Sequence, residues 1–450
     1  MTQALSIQTQ PLVSAATVEQ ISNSRNEPAW LRKARAEAWA VYEQTPMPTL
    51  NDELWRRTDI STLKLDRLSS AFDAPSATPT QSVDELPEGL KRMLDVGEAE
   101  AAGYLAQVDG GAMFNWLNDD LRAQGVIFTD LETAAREHAP LLRDYFMTSA
   151  VPPTYGKFEA LHGALWTGGV FLYVPQGVKV ALPFRAGIWQ QTARAGLFPH
   201  TLIIADAGSE FTYIEAYGSE TQPEPAMSDH AVELFLKEGA NLTFVTLQNW
   251  GRHTYSLGAQ RAMLDRDATL QWVIGTLGSK VTKTHHEIFM LGPGSTGNIH
   301  GFYFADANQH LDHHTQQDHF AGHSTTDLLF KGVLKDKART IYQGLIHVHK
   351  NAQRSDAYQA NRNLNLSARA RADSIPGLEI EANDVRCTHG ATVGQVDDEQ
   401  MFYLRSRGLS EAHAQRLIVE GFFEPLMDRI PLESARVKLR EAIQEKLGAF

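Results

Sequence analysis

From about residue 160 the sequence repeats a short phrase at near-constant spacing, and this rhythm limits the available folds more than any other feature. Gly208-Ser-Glu-Phe-Thr-Tyr-Ile-Glu-Ala-Tyr, Gly239-Ala-Asn-Leu-Thr-Phe-Val-Thr-Leu-Gln and Asp267-Ala-Thr-Leu-Gln-Trp-Val-Ile-Gly-Thr share one template. Each sets a turn residue ahead of a run rich in β-branched and aromatic side chains. Their starts lie 31 and 28 residues apart (239 − 208 and 267 − 239), and Gly294-Ser-Thr-Gly-Asn-Ile-His-Gly-Phe-Tyr follows 27 later (294 − 267). Strand repeats of this period with no helical segment between them are the mark of a solenoid, because one coil cannot bury its own apolar face and neighbours must stack. A β-sandwich also supplies many short strands, and repetition alone leaves it open. The expectation is one continuous stack from about 160 to 395, with Leu242, Phe244, Leu270 and Trp272 at repeating coil positions. Residues 219–228 read as a loop pushed out of the repeat.

The flanks have a different period. Asn26 can cap a helix with Pro28 in its first turn, and Trp30, Leu31, Ala34, Ala38, Val41 and Tyr42 recur at helical spacing until Pro46 and Pro48. Apolar segments at 113–123 and 130–147 extend a mainly helical first third, with Thr129 and Glu132 in capping-box spacing. Residues 69–82 are a Pro/Ser/Thr-rich linker. At the other end, Asp397 to Arg407 reads as a short helix stopped by Gly408, and Ser410 caps the next. Ala414, Leu417, Ile418, Gly421 and Phe422 give that helix its apolar spacing, with Pro425 set to bend it. Pro431 opens a last helix with Ala435, Leu439, Ile443 and Leu447 on one face. The chain thus divides into a helical region 1–155, a β core 156–395 and a helical region 396–450. The terminal helices either cap the solenoid or present a face to a partner.

Composition excludes several classes. The formal charge is 41 − 54 = −13, an acidic surface that argues against nucleic-acid binding. The most apolar stretch, Gly169 to Val178, is too short to span a bilayer and is broken by Pro175. The N-terminal residues lack the basic start and apolar run of a signal peptide. A single cysteine rules out an internal disulfide and suits a reducing compartment, so a cytoplasmic protein is expected. No Walker A pattern, Gly-x-Ser-x-Gly elbow or Cys-x-x-Cys occurs, which leaves ATP hydrolysis and disulfide exchange without visible machinery.

Two groups of residues carry chemistry. Cys387 lies two residues before His389, in a stretch whose alternation reads as strand, so thiol and imidazole would share one face. Two soft ligands are half of the four that a closed metal or cluster site wants. A small buried hydrophobe beside a turn histidine explains the pair equally well. The second group is histidine-rich: ten of the 17 histidines fall between His285 and His349. Imidazole suits zinc, iron and nickel. On a strand His313 and His314 cannot both face one ion, whereas His347 and His349 would share a face. Ladders of polar side chains along solenoid coils account for the same pattern without a metal.

The stretch Asp384-Val-Arg-Cys-Thr-His-Gly-Ala-Thr-Val-Gly-Gln-Val-Asp, followed by Phe402-Tyr-Leu-Arg-Ser-Arg-Gly408, resembles the C-terminal signature of the SufB/SufD family, the paralogous scaffold proteins of SUF iron–sulfur cluster assembly. The likeness extends to Gln309-His-Leu-Asp-His-His-Thr, Asp327-Leu-Leu-Phe-Lys-Gly-Val-Leu and Asp356-Ala-Tyr-Gln-Ala-Asn-Arg-Asn-Leu. It is looser at Gly168-Gly-Val-Phe-Leu-Tyr-Val and at Glu27-Pro-Ala-Trp-Leu. The SufD branch fits better, because SufB members usually carry more cysteines, one of them upstream in the β region. The resemblance implies a right-handed parallel β-helix core flanked by N- and C-terminal helical regions. It implies a non-catalytic scaffold that pairs with SufB through the β-helix and binds the ATPase SufC through the C-terminal helices. A homodimer is allowed for the isolated chain. A transient iron–sulfur cluster on the complex is implied, with no permanent cofactor in the chain alone. Cys387 and His389 match the family's interface ligands. His313 and His314 are weaker metal candidates. Phe402, Tyr403, Leu404, Arg405, Arg407, Leu417, Phe422 and Phe423 are the candidate partner-binding residues. A SufB paralog, or a β-helix enzyme such as a polysaccharide lyase or His-dependent metalloenzyme, is the competing reading.

Overall fold

The repeat becomes a stack because its turn residues and its strands do separate jobs. Gly208, Gly239, Asp267 and Gly294 all adopt positive φ (65°, 66°, 56° and 76°), a left-handed corner that glycine enters freely and aspartate tolerates. After each corner the chain runs straight and delivers one strand to each of two sheets in turn. The computed structural model describes residues 11–70, 79–95, 100–430 and 433–448; most of the 69–82 linker, and Pro431, lie outside them. It is mainly β: a parallel solenoid of about eight turns with helices at both ends. One sheet runs from Ile127–Asp130 through Gly169–Val174, His200–Ala205, Ala226–Leu236, Thr254–Leu264, Val281–Met290, His310–His319 and Arg339–Val348 to Arg371–Ile380. The other runs from Gly111–Leu117 and Gly103–Val108 through Phe184–Gln190, Glu210–Ser219, Asn241–Asn249, Thr269–Thr276, Thr296–Ala305, Thr325–Leu334 and Asp356–Asn365 to Arg386–Gln395. The solenoid strands pair in parallel with the partner two strands on in sequence. This excludes the sandwich.

Inward-facing side chains stack in register from coil to coil. Phe184, Tyr213, Phe244, Trp272, Ile299 and Leu328 occupy one such position in successive coils, and all six are fully buried. Leu242 and Leu270 repeat as expected two residues earlier. Tyr213 and Phe244 lie parallel with centroids 5.6 Å apart, and Phe244 and Trp272 follow at 5.8 Å. Each such side chain contributes about 1.5–3 kcal/mol by leaving water, so the axial stack is the main source of cohesion.

The outer faces are covered by the flanks. N-terminal residues including Leu31, Phe158, Leu161 and Trp166 form one cluster with outward Phe171, Leu202 and Phe235 of the first sheet. Arg35, which lies between the apolar positions of its helix, is 1% exposed. It bonds Glu27 at 2.6 Å and the Ala164 carbonyl at 3.1 Å, and stacks on the Trp166 ring. The first third is less helical than its spacing predicts. Gly103–Val108 joins Phe184–Gln190 in parallel and Gly111–Leu117 antiparallel, and Ile127–Asp130 pairs antiparallel with Gly169–Val174. These short strands finish the N-terminal end of the solenoid, an arrangement that a local period cannot reveal. The helix caps also differ. Pro28, not Asn26, precedes Ala29–Gln44, and Asp130 rather than Thr129 accepts the Thr133 N–H. Glu132 turns away to Arg25, at 2.7 Å.

Candidate functional site

The C-terminal end of the solenoid is finished differently from the N-terminal end. Its last strands, Arg371–Ile380 and Arg386–Gln395, are ten residues each, the first part-buried along most of its length and the second almost wholly exposed, and each pairs on one edge only among the described residues. Gly390 and Gly394 in the last strand have open space where a side chain would project. Long unpaired edges are a template for another chain unless something blunts them.

Cys387 and His389 lie on this last strand, in register with Ala357 and Gln359 of the coil before. His389 therefore ends the column that begins with Phe184, Tyr213, Phe244 and Trp272, and Cys387 ends the column of Leu242 and Leu270. Positions that earlier coils fill with aromatic and aliphatic side chains become amide, imidazole and thiol where the stack meets solvent. Cys387 is half-buried, packed against Ile346, Val348, Ala357 and Ala382, and His389 is exposed. Burial and the nearby Asp356 carboxylate push the thiol pKa up, partly offset by the Ala357 backbone. The thiol is thus protonated at neutral pH and is deprotonated more easily once a cation approaches. Neither residue belongs to a cluster of three or more metal-ligating groups among the described residues.

The histidine-rich segment divides by face. His313 points into the core, stacked on Tyr303 at 5.4 Å and bonded to Thr284 Oγ1 at 3.2 Å, and burial pushes its pKa down to about 4. His314 faces outward and meets Asp312 at 3.0 Å and Lys283 at 2.9 Å. The two are not brought together, as the alternation required. Lys283, Asp312 and His314 form a buried polar cluster that the N-terminal region completes, with Thr58 bonded to Asp312 and, at 2.9 Å, to His310. Burial alone would raise the Asp312 pKa, but the His314 hydrogen bond and charge, with Lys283 and Thr58, outweigh it and hold the carboxyl well below the usual range. One coil away Arg261 and Tyr155 bond Glu287, and Arg261 donates to the Ala150 carbonyl at 2.6 Å. These charges fasten the N-terminal region to the sheet. Sequence alone could not pair Thr58 with a strand more than 250 residues away (312 − 58).

The C-terminal helices Asp398–Ser406, Glu411–Met427 and Glu433–Leu447 do not cap the open end. Val419, Phe423, Leu426, Met427, Leu439 and Ile443 pack on Val245, Val273, Phe302, Phe304, Leu329 and Val333, the outer face of the second sheet. Phe423 is fully buried there, so it is withdrawn from the candidate partner-binding residues; Phe422 is half-buried, with Lys331 4.8 Å above its ring. Phe402, Tyr403 and Leu417 remain exposed at 75%, 57% and 47%, beside exposed Arg405 and Arg407 and half-buried Leu404. Gly408 (φ 91°) and the Ser410 cap act as the sequence indicates. Side-chain contacts of Ala435 lie outside the description. No helix among the described residues is long and apolar enough to cross a membrane.

This fold and this end define a parallel β-solenoid with an open C-terminal edge. Residues 188–422 match the family model described as the SUF system FeS cluster assembly SufBD core domain. The chain is 32% identical over 424 residues to an iron–sulfur cluster assembly protein SufB of Bacillus subtilis, covering 93% of this chain and 90% of that protein. It is 33% identical over the same length and coverage to an iron–sulfur cluster assembly SufBD family protein of Staphylococcus epidermidis. A Staphylococcus aureus protein of that description is 32% identical with the same coverage. The chain belongs to the SufBD family of iron–sulfur cluster assembly proteins.

Proposed function

We propose that this chain is a non-catalytic scaffold subunit of SUF assembly in the SufD role. In this reading it pairs with a SufB chain through the last coil and holds a SufC ATPase through its C-terminal helices. The observation that carries the reading is the open end. Two ten-residue strands are left with free edges, and Cys387 and His389 stand on one of them at the end of core columns. One thiolate and one imidazole are half of a four-ligand site. A second chain adding strands to these edges would bring its own ligands alongside, and a cluster would form there as transient cargo. Exposed Phe402, Tyr403 and Leu417 beside two arginines suit a docking face of the kind the SufC contact needs. A cytoplasmic setting accords with the single cysteine.

The second reading, a SufB role, is favoured by the name of the Bacillus subtilis relative. Against it stands the lack of any cysteine in the β region before Cys387. Purification of the chain with its partners from the native cell separates the two. A SufB-type chain and an ATPase in the complex support the SufD role. A SufD-type partner supports the other role, and a chain that purifies alone in every preparation contradicts both. Val393→Lys, a charge on the open edge, is expected to abolish the pairing without unfolding the chain.

A further inference from the structure

We propose that Asp318, His347 and His349 form a binding site for one divalent first-row transition-metal ion on the outer face of the first sheet. The site needs only donors present in this chain and does not depend on the scaffold role. Asp318 and His347 face outward from adjacent strands and are partners in register; His349 follows just past the end of the second strand. His347 Nδ1 lies 2.9 Å from Asp318 Oδ1, and His349 Nε2 lies 3.3 Å from the same oxygen. All three donor atoms lie within 4.8 Å of one another.

Those separations are what an ion would impose. Nitrogen and oxygen donors at about 2.1 Å from a metal sit about 3.0 Å apart at a right angle and about 3.4 Å apart at a tetrahedral angle. Both measured distances fall close to that interval. Two of the three donors are also held from behind. The Gln316 amide donates to the other carboxylate oxygen of Asp318, and the Phe320 ring stacks on His349 at 4.1 Å and 16°. Glu381 stands 3.8 Å from His347 Nε2, beyond hydrogen-bond reach, and adds negative charge beside the site. Asp318 is buried while both imidazoles are part-exposed, so an ion can enter from solvent. Two imidazoles and one carboxylate, with further positions open, suit ferrous iron or zinc and disfavour magnesium and calcium, which prefer oxygen alone. The site also neighbours the open end: Ile346 and Val348, on either side of His347, pack inward against Cys387.

The test is an anaerobic titration of the full chain with Co(II), read by its visible ligand-field absorption and repeated in competition with Zn(II) and excess Mg(II). One saturable equivalent is expected, displaced by zinc but not by magnesium and without thiolate charge-transfer absorption. His347→Gln, His349→Gln and Asp318→Asn should each weaken binding at least about tenfold, while Cys387→Ser leaves it unchanged. Should a strand variant fail to fold, as judged by circular dichroism, His349→Gln lies outside the strand and decides alone. Absence of a saturable equivalent, affinity that survives His349→Gln, or binding that disappears in Cys387→Ser would each overturn the assignment.

Discussion

Lowering the pH from 6.5 to 5.5 should remove much of this protein's stability, and the histidines set the size of the loss. Among the described residues burial lowers the pKa of nine of them: His162, His230, His253, His285, His286, His300, His310, His313 and His319. Five of these, His230, His300, His310, His313 and His319, fall to about 4. A folded pKa below the unfolded one gives stability that is complete above about 6.5 and is lost as the pH falls toward the folded value. Four carboxyls, Glu132, Glu159, Glu215 and Asp229, are shifted upward by burial and act in the opposite sense, gaining stability as the pH falls. The five histidines that fall to about 4 each take up about 0.9 proton on unfolding near pH 5.5, about 4.5 together, and the four raised carboxyls offset part of that. The other four lowered histidines, His162, His253, His285 and His286, add to the uptake, and about four protons are taken as the net figure. That corresponds to a slope of about 6 kcal/mol per pH unit, comparable to the whole stability of an ordinary domain. Urea unfolding followed by tryptophan fluorescence at pH 7.5, 6.5, 6.0 and 5.5 (about half-unit steps through the histidine range) measures it. A slope below about 1.4 kcal/mol per pH unit, equivalent to less than one proton, would refute the reasoning.

Other consequences are local. Glu27→Gln leaves the Arg35 guanidinium buried without its carboxylate and should cost about 3–5 kcal/mol, measured by calorimetry. A side chain at Gly301 would begin 2.2 Å from the Phe330 ring, so Gly301→Val should destabilise the stack by about 1–3 kcal/mol in a urea titration. Phe402→Ala with Tyr403→Ala should leave unfolding within about 0.5 kcal/mol of the parent while sharply weakening ATPase binding in a pull-down. Deletion of residues 409–450 is a poor substitute for that test, because it would strip the cover from Val245, Val273, Phe302 and Phe304 and unfold the second sheet.

The solenoid is legible in the sequence because its corner residues and inward side chains recur locally. Gly208, Gly239, Asp267 and Gly294 announce each coil, and the Leu242/Leu270 and Phe244/Trp272 pairs fall in register. What is not legible is everything that depends on contacts distant in sequence. Met113 to Leu117 has an apolar pattern but no signal that its partner is Gly103–Val108, so it reads as helix. The apolar faces of the C-terminal helices are visible, yet whether they meet a partner or the second sheet depends on Val245 and Phe302, on strands distant in sequence. Arg35 looks like a solvent-facing residue until Glu27 folds back on it. Of the candidate site, the Cys387–His389 pairing follows from alternation alone. That the pair ends two core columns at an open edge is a property of the stacked coils.

The central claim is that Cys387 and His389 are half of a site completed by another chain. It is tested most directly by measuring melting temperature and cluster yield for Cys387→Ser and His389→Ala, each in complex with its SUF partners after anaerobic reconstitution. An unpaired buried hydroxyl costs about 1–3 kcal/mol, and the half-buried position of Cys387 puts its substitution at the low end or below. The account predicts a melting temperature close to that of the parent for both variants, partner binding retained, and cluster yield sharply reduced, less completely for His389→Ala. A destabilised Cys387→Ser protein whose folded fraction still assembles clusters at the parental level would contradict it.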